Sequence, residues 1–280
     1  MEIITTIEGM RQSVRNEKRR GRTIGLVPTM GFLHEGHLSL VRISRAEADV
    51  TVVSLFVNPI QFGPKEDLKT YPRDFERDAA MLRAEGADYL FAPTDEDMYP
   101  REHRTFVEVR DLQDRLCGRT RPGHFRGVCT VVLKLFDLVE PDCAVFGQKD
   151  AQQALILKRM VADLNVPVRM IIAPIIREPD GLAMSSRNTY LNPEERRAAL
   201  VLSRSLAEAR AMIDGGERDA VRIISRMRVL IEAEPAARID YVEAVDPDEL
   251  TPVAGLRDGT LIALAVFIGR TRLIDNLIVS

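Results

Sequence analysis

A turn between two regular segments organises this chain: Pro28-Thr29-Met30-Gly31-Phe32-Leu33-His34-Glu35-Gly36-His37-Leu38. The apolar residues 23–28 that lead into it are typical of a β-strand, and residues 38–48 after it recur at helical spacing. A turn of this kind is the repeating joint of a parallel α/β fold, in which ligands bind beyond the carboxyl ends of the strands. The turn is therefore the first place to look for a binding site.

Two of the four histidines in the chain, His34 and His37, lie at this turn. Backbone N–H groups in the first turn of a helix have no intrahelical partner and lie at the positive end of the helix dipole, so they attract phosphate. Gly31 and Gly36 allow the backbone to approach a ligand closely, and imidazoles can donate hydrogen bonds to phosphate oxygens. The turn predicts a nucleotide triphosphate site.

Two other interpretations of the histidine turn remain open. It could be a helix N-terminus with incidental histidines, or it could hold a metal ion. A metal pair needs at least one further ligand, and Cys117, His103 and His124 lie in other segments. The commonest phosphate-binding motifs, GxxxxGK[ST] and GxGxxG, do not occur in the sequence.

The composition is that of an ordinary soluble globular protein, with 45% hydrophobic and 29% charged residues among 280. Apolar runs such as 261–269 are far shorter than the ~20 residues that span a bilayer, and residues 1–5 lack a signal-peptide pattern. The three cysteines have no CxxC spacing, so we expect reduced, buried thiols in a cytoplasmic protein. The net charge is −3 with basic residues scattered among acids, which predicts neither a nucleic-acid partner nor a membrane partner.

Strands and helices alternate through the first 175 residues. Strands are predicted over 23–28, 50–57, 89–92, 143–147 and 168–173, and helices over 38–48, 74–85, 128–139 and 151–164. This order predicts an α/β fold whose N-terminal domain is a Rossmann-like parallel sheet. The loops at the carboxyl ends of its strands, where ligands bind, are 28–37, 58–62, 147–153 and the segment after Ala173.

The pattern changes after Pro174. Asn192 followed by Pro193 predicts the start of a helix that ends at Gly215-Gly216, and a second helix is predicted over 218–233. Strands are predicted over 239–245, 261–268 and 271–279, the last two joined by a hairpin turn at Gly269-Arg270. We therefore divide the chain into a Rossmann-like N-terminal domain, residues 1–175, which carries the predicted nucleotide site, and a smaller α+β C-terminal domain, residues 176–280.

Three of the selected loops carry polar groups suited to chemistry. In Gly147-Gln148-Lys149-Asp150-Ala151-Gln152-Gln153, Lys149 is predicted to contact phosphate and Gln153 a substrate, although Asp150 and Gln153 also fit a helix capping box. The loop Asn58-Pro59-Ile60-Gln61-Phe62 is either a substrate contact or a simple turn. Met184-Ser185-Ser186-Arg187-Asn188 suits a phosphate clamp, because arginine binds phosphate in a bidentate manner, but it could also be a polar linker.

A resemblance to a known family rests on several of these segments. The turn His34-Glu35-Gly36-His37 resembles the HIGH signature of the class I aminoacyl-tRNA synthetase and nucleotidyltransferase superfamily, and residues 184–187 resemble its second signature loop. The whole set resembles the bacterial pantoate–β-alanine ligase family in order and spacing along essentially the entire chain. The set consists of residues 28–40, 56–62, 71–74, 124–136, 146–153 and 180–188.

The resemblance implies a ligase that joins pantoate to β-alanine through a pantoyl-adenylate, releasing AMP and pyrophosphate. It implies four catalytic residues: His34, His37, Lys149 and Arg187. It implies an ATP-binding set: Met30, Gly31, His34, Gly36, His37, Gly147, Gln148, Lys149, Asp150, Ile176, Met184, Ser185, Ser186 and Arg187. Gln61 and Gln153 would bind pantoate, with Gln61 also meeting β-alanine. We further expect Asn58 to contact a substrate and Val131 and Val132 to form an apolar wall against the methyl groups of pantoate.

The resemblance also implies ATP as a substrate, Mg²⁺ on its phosphates without a dedicated metal cage in the protein, and a homodimer. It makes residues 1–175 the ATP- and pantoate-binding domain and residues 176–280 a smaller lid domain. Two other functions remain as alternatives. One is a nucleotidyltransferase of the same superfamily that transfers AMP to a phosphate acceptor, and the other is a non-catalytic nucleotide sensor or RNA-binding relative of the synthetases. A basic appended domain, which would favour RNA binding, is not apparent in the sequence.

Overall fold

A computed structural model describes residues 1–64 and 66–280. Within them, a parallel sheet forms from strands in the order β1-β4-β3-β2-β5-β6. The strands are β1 (Glu2–Ile4), β2 (Ile24–Thr29), β3 (Val50–Leu55), β4 (Tyr89–Phe91), β5 (Cys143–Gly147) and β6 (Arg169–Ala173). Every pairing in this sheet is parallel. The α/β class and Rossmann-like sheet predicted from the sequence are confirmed.

Helices connect the strands of the parallel sheet. They are α1 (Ile7–Arg19), α2 (Glu35–Glu47), α3 (Phe75–Ala84), α4 (Asp95–Met98), α5 (Cys117–Thr120), α6 (His124–Val139) and α7 (Ala151–Asp163). The sequence pattern placed the start of α6 at Val128, four residues too late, because Gly123 in the left-handed region (φ +80°) is what sets the first turn. Strand β1 was also missed, since three residues at a sheet edge carry little periodicity.

The C-terminal part contains two helices and an antiparallel sheet in the order β7-β8-β9. Its elements are α8 (Pro193–Asp214), α9 (Ala220–Glu232), β7 (Ala237–Val245), β8 (Leu261–Ile268) and β9 (Thr271–Ile278). Asn192 caps α8 in a capping box with Glu195, and Ile268 pairs with Thr271 across the predicted two-residue hairpin. The smaller α+β part is confirmed.

The antiparallel sheet packs on both of its faces. One face, with Val242, Ile262 and Leu264, joins the apolar core of α8 and α9. The other face, with Tyr241 and Ala263, joins the core that lies under the parallel sheet. Apolar burial on both faces therefore fixes the C-terminal sheet against the N-terminal part of the chain.

Two further sequence expectations concern the cysteines and membrane-spanning helices. Cys117, Cys129 and Cys143 are free and buried, as expected for reduced thiols. Within residues 1–64 and 66–280, none of the helices combines the length and the apolar character that crossing a bilayer requires.

Candidate active site

A cleft opens where the strand order changes direction. Strand β2 lies between β3 and β5, so the loops that follow β2 and β5 leave the sheet side by side at its carboxyl edge. The cleft there encloses about 1420 Å³ including its open mouth. It is lined by the histidine turn, the Asn58–Gln61 loop, helix α6, the Lys149 loop and the segment 174–187.

The histidine turn is held from below by a buried carboxylate. Asp78 on α3 accepts hydrogen bonds from the backbone N–H groups of Phe32 (2.6 Å) and Leu33 (2.8 Å). These bonds retain Phe32 at φ +50°, a conformation that non-glycine residues rarely adopt. Burial raises the pKa of Asp78, and the two backbone bonds oppose that rise. Asp78 was not among the predicted site residues, although it gives the turn its shape.

Gly36 is required by the close approach of the His34 ring. A Cβ atom at Gly36 would lie 2.9 Å from Cε1 and Nδ1 of His34, closer than real Cβ contacts. Gly31 takes φ +83°, which a side chain would strain. Both glycines therefore shape the turn, Gly36 at the cleft wall and Gly31 behind it.

The two imidazole rings lie against each other at a tilt of 37° and are neutral near pH 7. Their ring centroids lie 4.1 Å apart. Burial, followed by the charge of Lys149, lowers the pKa of His34 to about 4. Burial and the neighbouring His34 and Lys149 also lower the pKa of His37 well below its ordinary value. The backbone N–H of His34 donates to Nδ1 of His37 at 3.4 Å, which leaves the proton of a neutral ring on Nε2 as a donor.

Lys149 faces the cleft from the loop after β5. Its ammonium lies 3.5 Å from Oδ2 of Asp150, and the side chain as a whole is about one-fifth exposed. The capping-box interpretation of Asp150 and Gln153 is wrong, because the Asp150 side chain makes no capping hydrogen bond within the described residues. Gln153 instead lines the cleft together with Lys149 and Asp150.

The Gln61 amide is oriented by a chain of hydrogen bonds. Asn58 donates from Nδ2 to Oε1 of Gln61 (2.9 Å) and to the carbonyl of Gly127 (3.0 Å). The hydroxyl of Tyr99 donates to Oδ1 of Asn58 at 2.8 Å. Since the polar atoms of the Asn58 side chain are thus bonded within the protein, Asn58 positions Gln61 and presents little of its own to a ligand.

His124 supports the same loop from helix α6. Its Nδ1 lies 2.8 Å from the carbonyl oxygen of Gln61, and its Nε2 lies 3.0 Å from Nη1 of Arg121. Burial, followed by the charge of Arg121, lowers the pKa of His124 to about 3. The ring is therefore neutral, with Nε2 accepting from Arg121 and Nδ1 donating to Gln61. Val131 and Val132, from the same helix, are buried and line the cleft.

Arg187, which lines the cleft, is paired with a carboxylate. Its Nε and Nη2 donate to Oδ2 and Oδ1 of Asp67 at 3.0 and 2.9 Å, and its guanidinium lies 5.9 Å from the ring of Tyr71. Burial acts to raise the pKa of Asp67, but the bonds from Arg187 hold it below its usual range. Ser186 donates to the carbonyl of Phe32 at 3.3 Å, which joins this loop to the histidine turn.

The cleft gathers the predicted site residues from distant parts of the chain, with two exceptions. Among the described residues, Gly31 and Gln148 do not line it, and the Gln148 amide contacts Asn276 instead. The cleft residues brought together are Met30, His34, Gly36, His37, Asn58, Gln61, Val131, Val132, Gly147, Lys149, Asp150, Gln153, Ile176, Met184, Ser185, Ser186 and Arg187.

Sequence reasoning gave no role to Tyr71, Arg121 and His124, which also line the cleft. Tyr71 and His124 lie in segments that carried the family resemblance, so that signal was available. Arg121 precedes the start of α6 and pairs in a bidentate manner with Glu66, a contact that no local pattern indicates.

A resident metal ion finds no cage in this site. Over residues 1–64 and 66–280, the structure contains no group of three or more His, Cys, Asp or Glu side chains placed to hold one. The metal-pair interpretation of His34 and His37 is therefore unsupported.

A parallel sheet with a polar cleft at its carboxyl edge defines the class of Rossmann-like α/β enzymes. The family model described as pantoate-beta-alanine ligase matches residues 2–278. The pantothenate synthetase of Thermoanaerobacter pseudethanolicus is 56% identical over 278 residues, covering 99% of this chain and 98% of its own. That of Heliobacterium modesticaldum is 57% identical over the full length of both chains.

Solved structures agree with these relatives. The pantothenate synthetase of Thermus thermophilus superposes with a TM-score of 0.95 at 45% identity, covering 100% of this chain and 99% of that one. A pantoate-beta-alanine ligase of Francisella tularensis, complexed with beta-gamma ATP and beta-alanine, gives 0.81 at 33% identity, with coverages of 99% and 97%. The chain belongs to the pantoate–β-alanine ligase family, and the family and ligase class predicted from the sequence are confirmed.

Proposed function

We propose that the cleft joins pantoate to β-alanine with ATP through a pantoyl-adenylate. The observation that carries the proposal is the convergence of His34, His37 and Lys149 at one edge of the sheet, with Gln61 and Gln153 in the same cleft. The first three suit a triphosphate, and the two amides suit a hydroxy acid. The family membership favours this reaction over AMP transfer to a phosphate acceptor and over a nucleotide sensor.

The reaction needs an activated carboxylate, because a free carboxylate has no adequate leaving group. In the first step a carboxylate oxygen of pantoate forms a bond to the α-phosphorus of ATP, the bond to the β-phosphate oxygen breaks, and pyrophosphate leaves. In the second step the amine of β-alanine forms a bond to the carbonyl carbon, the carbon–oxygen bond to AMP breaks, and the amine proton is lost. Positioning and charge stabilisation supply the rate, without a covalent enzyme intermediate.

His34, His37 and Lys149 offset the repulsion between the phosphates and the incoming carboxylate. The two imidazole rings are neutral before ATP binds. They can therefore donate N–H hydrogen bonds to the phosphates without the free-energy cost of burying two positive charges. Lys149 supplies the fixed positive charge. His37 is proposed to stabilise the charge that develops on the reacting phosphoryl group through its Nε2 proton.

The loop 184–187 is proposed to hold the triphosphate from the other side. Ser185 and Ser186 offer hydroxyls, and Arg187 offers a guanidinium suited to phosphate. Because Arg187 is paired with Asp67, the triphosphate must take over the place of that carboxylate. Gly147, Asp150 and Ile176 would hold the adenosine, with Met30 and Met184 beside it.

Pantoate is proposed to lie between Gln61 and Gln153, with its methyl groups against Val131 and Val132. Asn58 would then act by orienting the Gln61 amide. A second cavity of about 850 Å³, open mouth included, adjoins the cleft and shares Lys149, Asp150 and Gln153 with it. It offers room for the approach of β-alanine.

Four further properties complete the proposal. Mg²⁺ would arrive with ATP as its phosphate complex, because the donor set described above offers no cage. The chain would act as a homodimer in the cytoplasm, where its buried free cysteines stay reduced. Residues 1–175 would form the ATP- and pantoate-binding domain, and residues 176–280 the smaller domain that covers it.

Pyrophosphate exchange tests the proposed function. The protein is incubated with Mg-ATP and labelled pyrophosphate, with and without pantoate, and the products with β-alanine are identified by mass spectrometry. Label should enter ATP only when pantoate is present, and pantothenate and AMP should form with β-alanine. Exchange that ignores pantoate, or AMP attached to a phosphate acceptor, would support the nucleotidyltransferase instead.

A further inference from the structure

Two consecutive polar residues of the C-terminal sheet are buried against the active-site loops. Asp275 and Asn276 on β9 are 2% and 4% exposed. Polar side chains at such depth are costly unless their hydrogen bonds are satisfied. The hydrogen-bonding groups of both side chains find partners in the segments that line the cleft. In addition, the backbone N–H of Asn276 donates to Oδ1 of Asp275 at 2.8 Å.

Asn276 is hydrogen-bonded to the loop that carries Lys149. Its Nδ2 donates to the backbone carbonyls of Gln148 (2.9 Å) and Lys149 (3.0 Å). Its Oδ1 accepts from Nε2 of Gln148 at 3.1 Å. One amide thus uses both donors and its acceptor on two consecutive residues, which only asparagine or glutamine can do.

Asp275 is bonded to the segment 174–187, on the other side of the cleft. It accepts two hydrogen bonds from Arg177, at 2.7 Å to Nη1 and 3.0 Å to Nη2. Arg177 forms a β-bridge with Ala183, the residue before Met184. Its Nη1 also donates to the carbonyl of Gly181 at 3.1 Å. The segment that delivers Ser185 and Arg187 is therefore anchored to the residue next to Asn276.

We propose that Asn276 is a positioning residue for adenylate formation, which fixes Lys149 against the triphosphate from the C-terminal sheet. Asp275 sets the opposite loop, so that the pair holds the spacing between the two sides of the phosphate site. The inference rests on the proposed function of Lys149. It makes the antiparallel sheet a fixed support of the chemistry, in addition to any covering role.

The physical argument concerns the backbone of Lys149. A lysine side chain is flexible, so its ammonium is only as well placed as the backbone from which it extends. The carbonyl of Lys149 is tied to Asn276 at 3.0 Å, and displacement of a reacting or charge-stabilising group by about 1 Å costs on the order of 100-fold in rate. Loss of the Asn276 amide should therefore affect the step that needs Lys149 and spare the binding of pantoate.

The test compares Asn276→Asp with a matched control, Glu243→Gln. The aspartate has nearly the same shape but cannot donate to the two carbonyls. The control removes a different contact between the C-terminal sheet and the N-terminal part, the ion pair from Glu243 to Arg119, without touching the Lys149 loop. Asn276→Ala, which introduces no charge, provides a second variant. Pantoate-dependent pyrophosphate exchange, the KM values for ATP and pantoate, and the Tm are measured for each protein.

We expect Asn276→Asp and Asn276→Ala to lower the exchange rate by about 30- to 100-fold, with the KM for pantoate changed less than about twofold and the control equal to the parent. In a Lys149→Ala background, Asn276→Asp should cost no more than about a further twofold, because the two residues act as one unit.

Three results would overturn the inference. The first is an exchange rate within about twofold of the parent in a folded Asn276 variant, and the second is full additivity of the rate losses from Asn276→Asp and Lys149→Ala. The third is failure of both Asn276 variants to fold, which would assign Asn276 a purely structural role. Failure of the proposed function looks different, since Lys149→Ala alone would then leave the exchange intact.

Discussion

The side-chain amide of Asn58 donates a hydrogen bond to Oε1 of Gln61 across 2.9 Å. This bond turns the NH₂ group of Gln61 away from Asn58, and its Nε2 lies 3.1 Å from the sulfur of Met30. A thioether is a weak acceptor, so a substrate oxygen can replace it at little cost. The pair therefore fixes Gln61 as a hydrogen-bond donor toward the cleft.

Tyr99→Phe tests this orientation from outside the cleft. The Tyr99 hydroxyl bonds Oδ1 of Asn58, and burial followed by the nearby Asp95 raises the pKa of Tyr99, so the hydroxyl remains a donor at working pH. Loss of one such bond costs about 1 kcal/mol, which corresponds to a rise of about fivefold in the KM for pantoate. The KM for ATP should not change. An equal rise in both would contradict a role confined to Gln61.

Asp67→Asn should strengthen ATP binding. The bidentate partner of Arg187 competes with the triphosphate, and asparagine offers it no charge. We expect a decrease in Kd for a non-hydrolysable ATP analogue of about threefold to tenfold, in keeping with about 1 kcal/mol for a partly exposed ion pair. Isothermal titration calorimetry measures it, with Asp97→Asn, a surface capping residue, as the control. Weaker binding in Asp67→Asn would mean that the pair organises the site rather than restrains it.

His124 predicts a dependence of stability on pH. Its pKa is about 3 in the folded chain, against 6.5 ordinarily. Below about pH 6.5 the unfolded chain binds a proton that the folded chain does not, so the stability due to neutral His124 is present above this pH and is lost as the pH falls toward 3. The free energy of unfolding should fall by about 1.4 kcal/mol per pH unit for this group.

Urea denaturation at pH 7 and pH 5 measures this slope. His124→Gln, which can still donate to the carbonyl of Gln61, should show a shallower dependence than the parent. Equal slopes in the two proteins would mean that His124 titrates normally in the folded chain.

Lys149→Ala separates the two chemical steps. The ammonium is proposed to offset the negative charge of the phosphates and the incoming carboxylate during attack on the α-phosphorus. These groups no longer have to be brought together during aminolysis. Formation of the adenylate should therefore decrease by at least about 100-fold, whereas reaction of supplied pantoyl-adenylate with β-alanine should decrease much less. Single-turnover assays of each half-reaction give both rates. Equal losses in the two steps would assign Lys149 a structural role.

The sequence predicted the parallel sheet and most of the cleft because local patterns and one topological rule were sufficient. Strands β2, β3 and β5 are apolar runs, and the rule that ligands bind beyond their carboxyl ends selected the histidine and Lys149 loops. The contacts that position these loops were not predictable in the same way. Tyr99 lies 41 residues from Asn58, and Asn276 lies 127 residues from Lys149.

Such contacts have no periodicity and arise only when the elements pack. The pairing of Arg187 with Asp67 is a similar case, because the sequence around each residue alone predicts an exposed charged side chain in a loop. Asp78 is buried in a helix with mixed charges, and nothing in its surroundings along the chain predicts that it binds the backbone of Phe32 and Leu33.

Pantoate-dependent pyrophosphate exchange by His37→Ala is the most direct test of the central claim, that the turn after β2 stabilises the reacting phosphoryl group. The account predicts a rate lowered by about 100- to 1000-fold, as expected when a key charge-stabilising donor is removed, with circular dichroism and Tm close to those of the parent. Exchange at nearly the parent rate in this folded variant would contradict it.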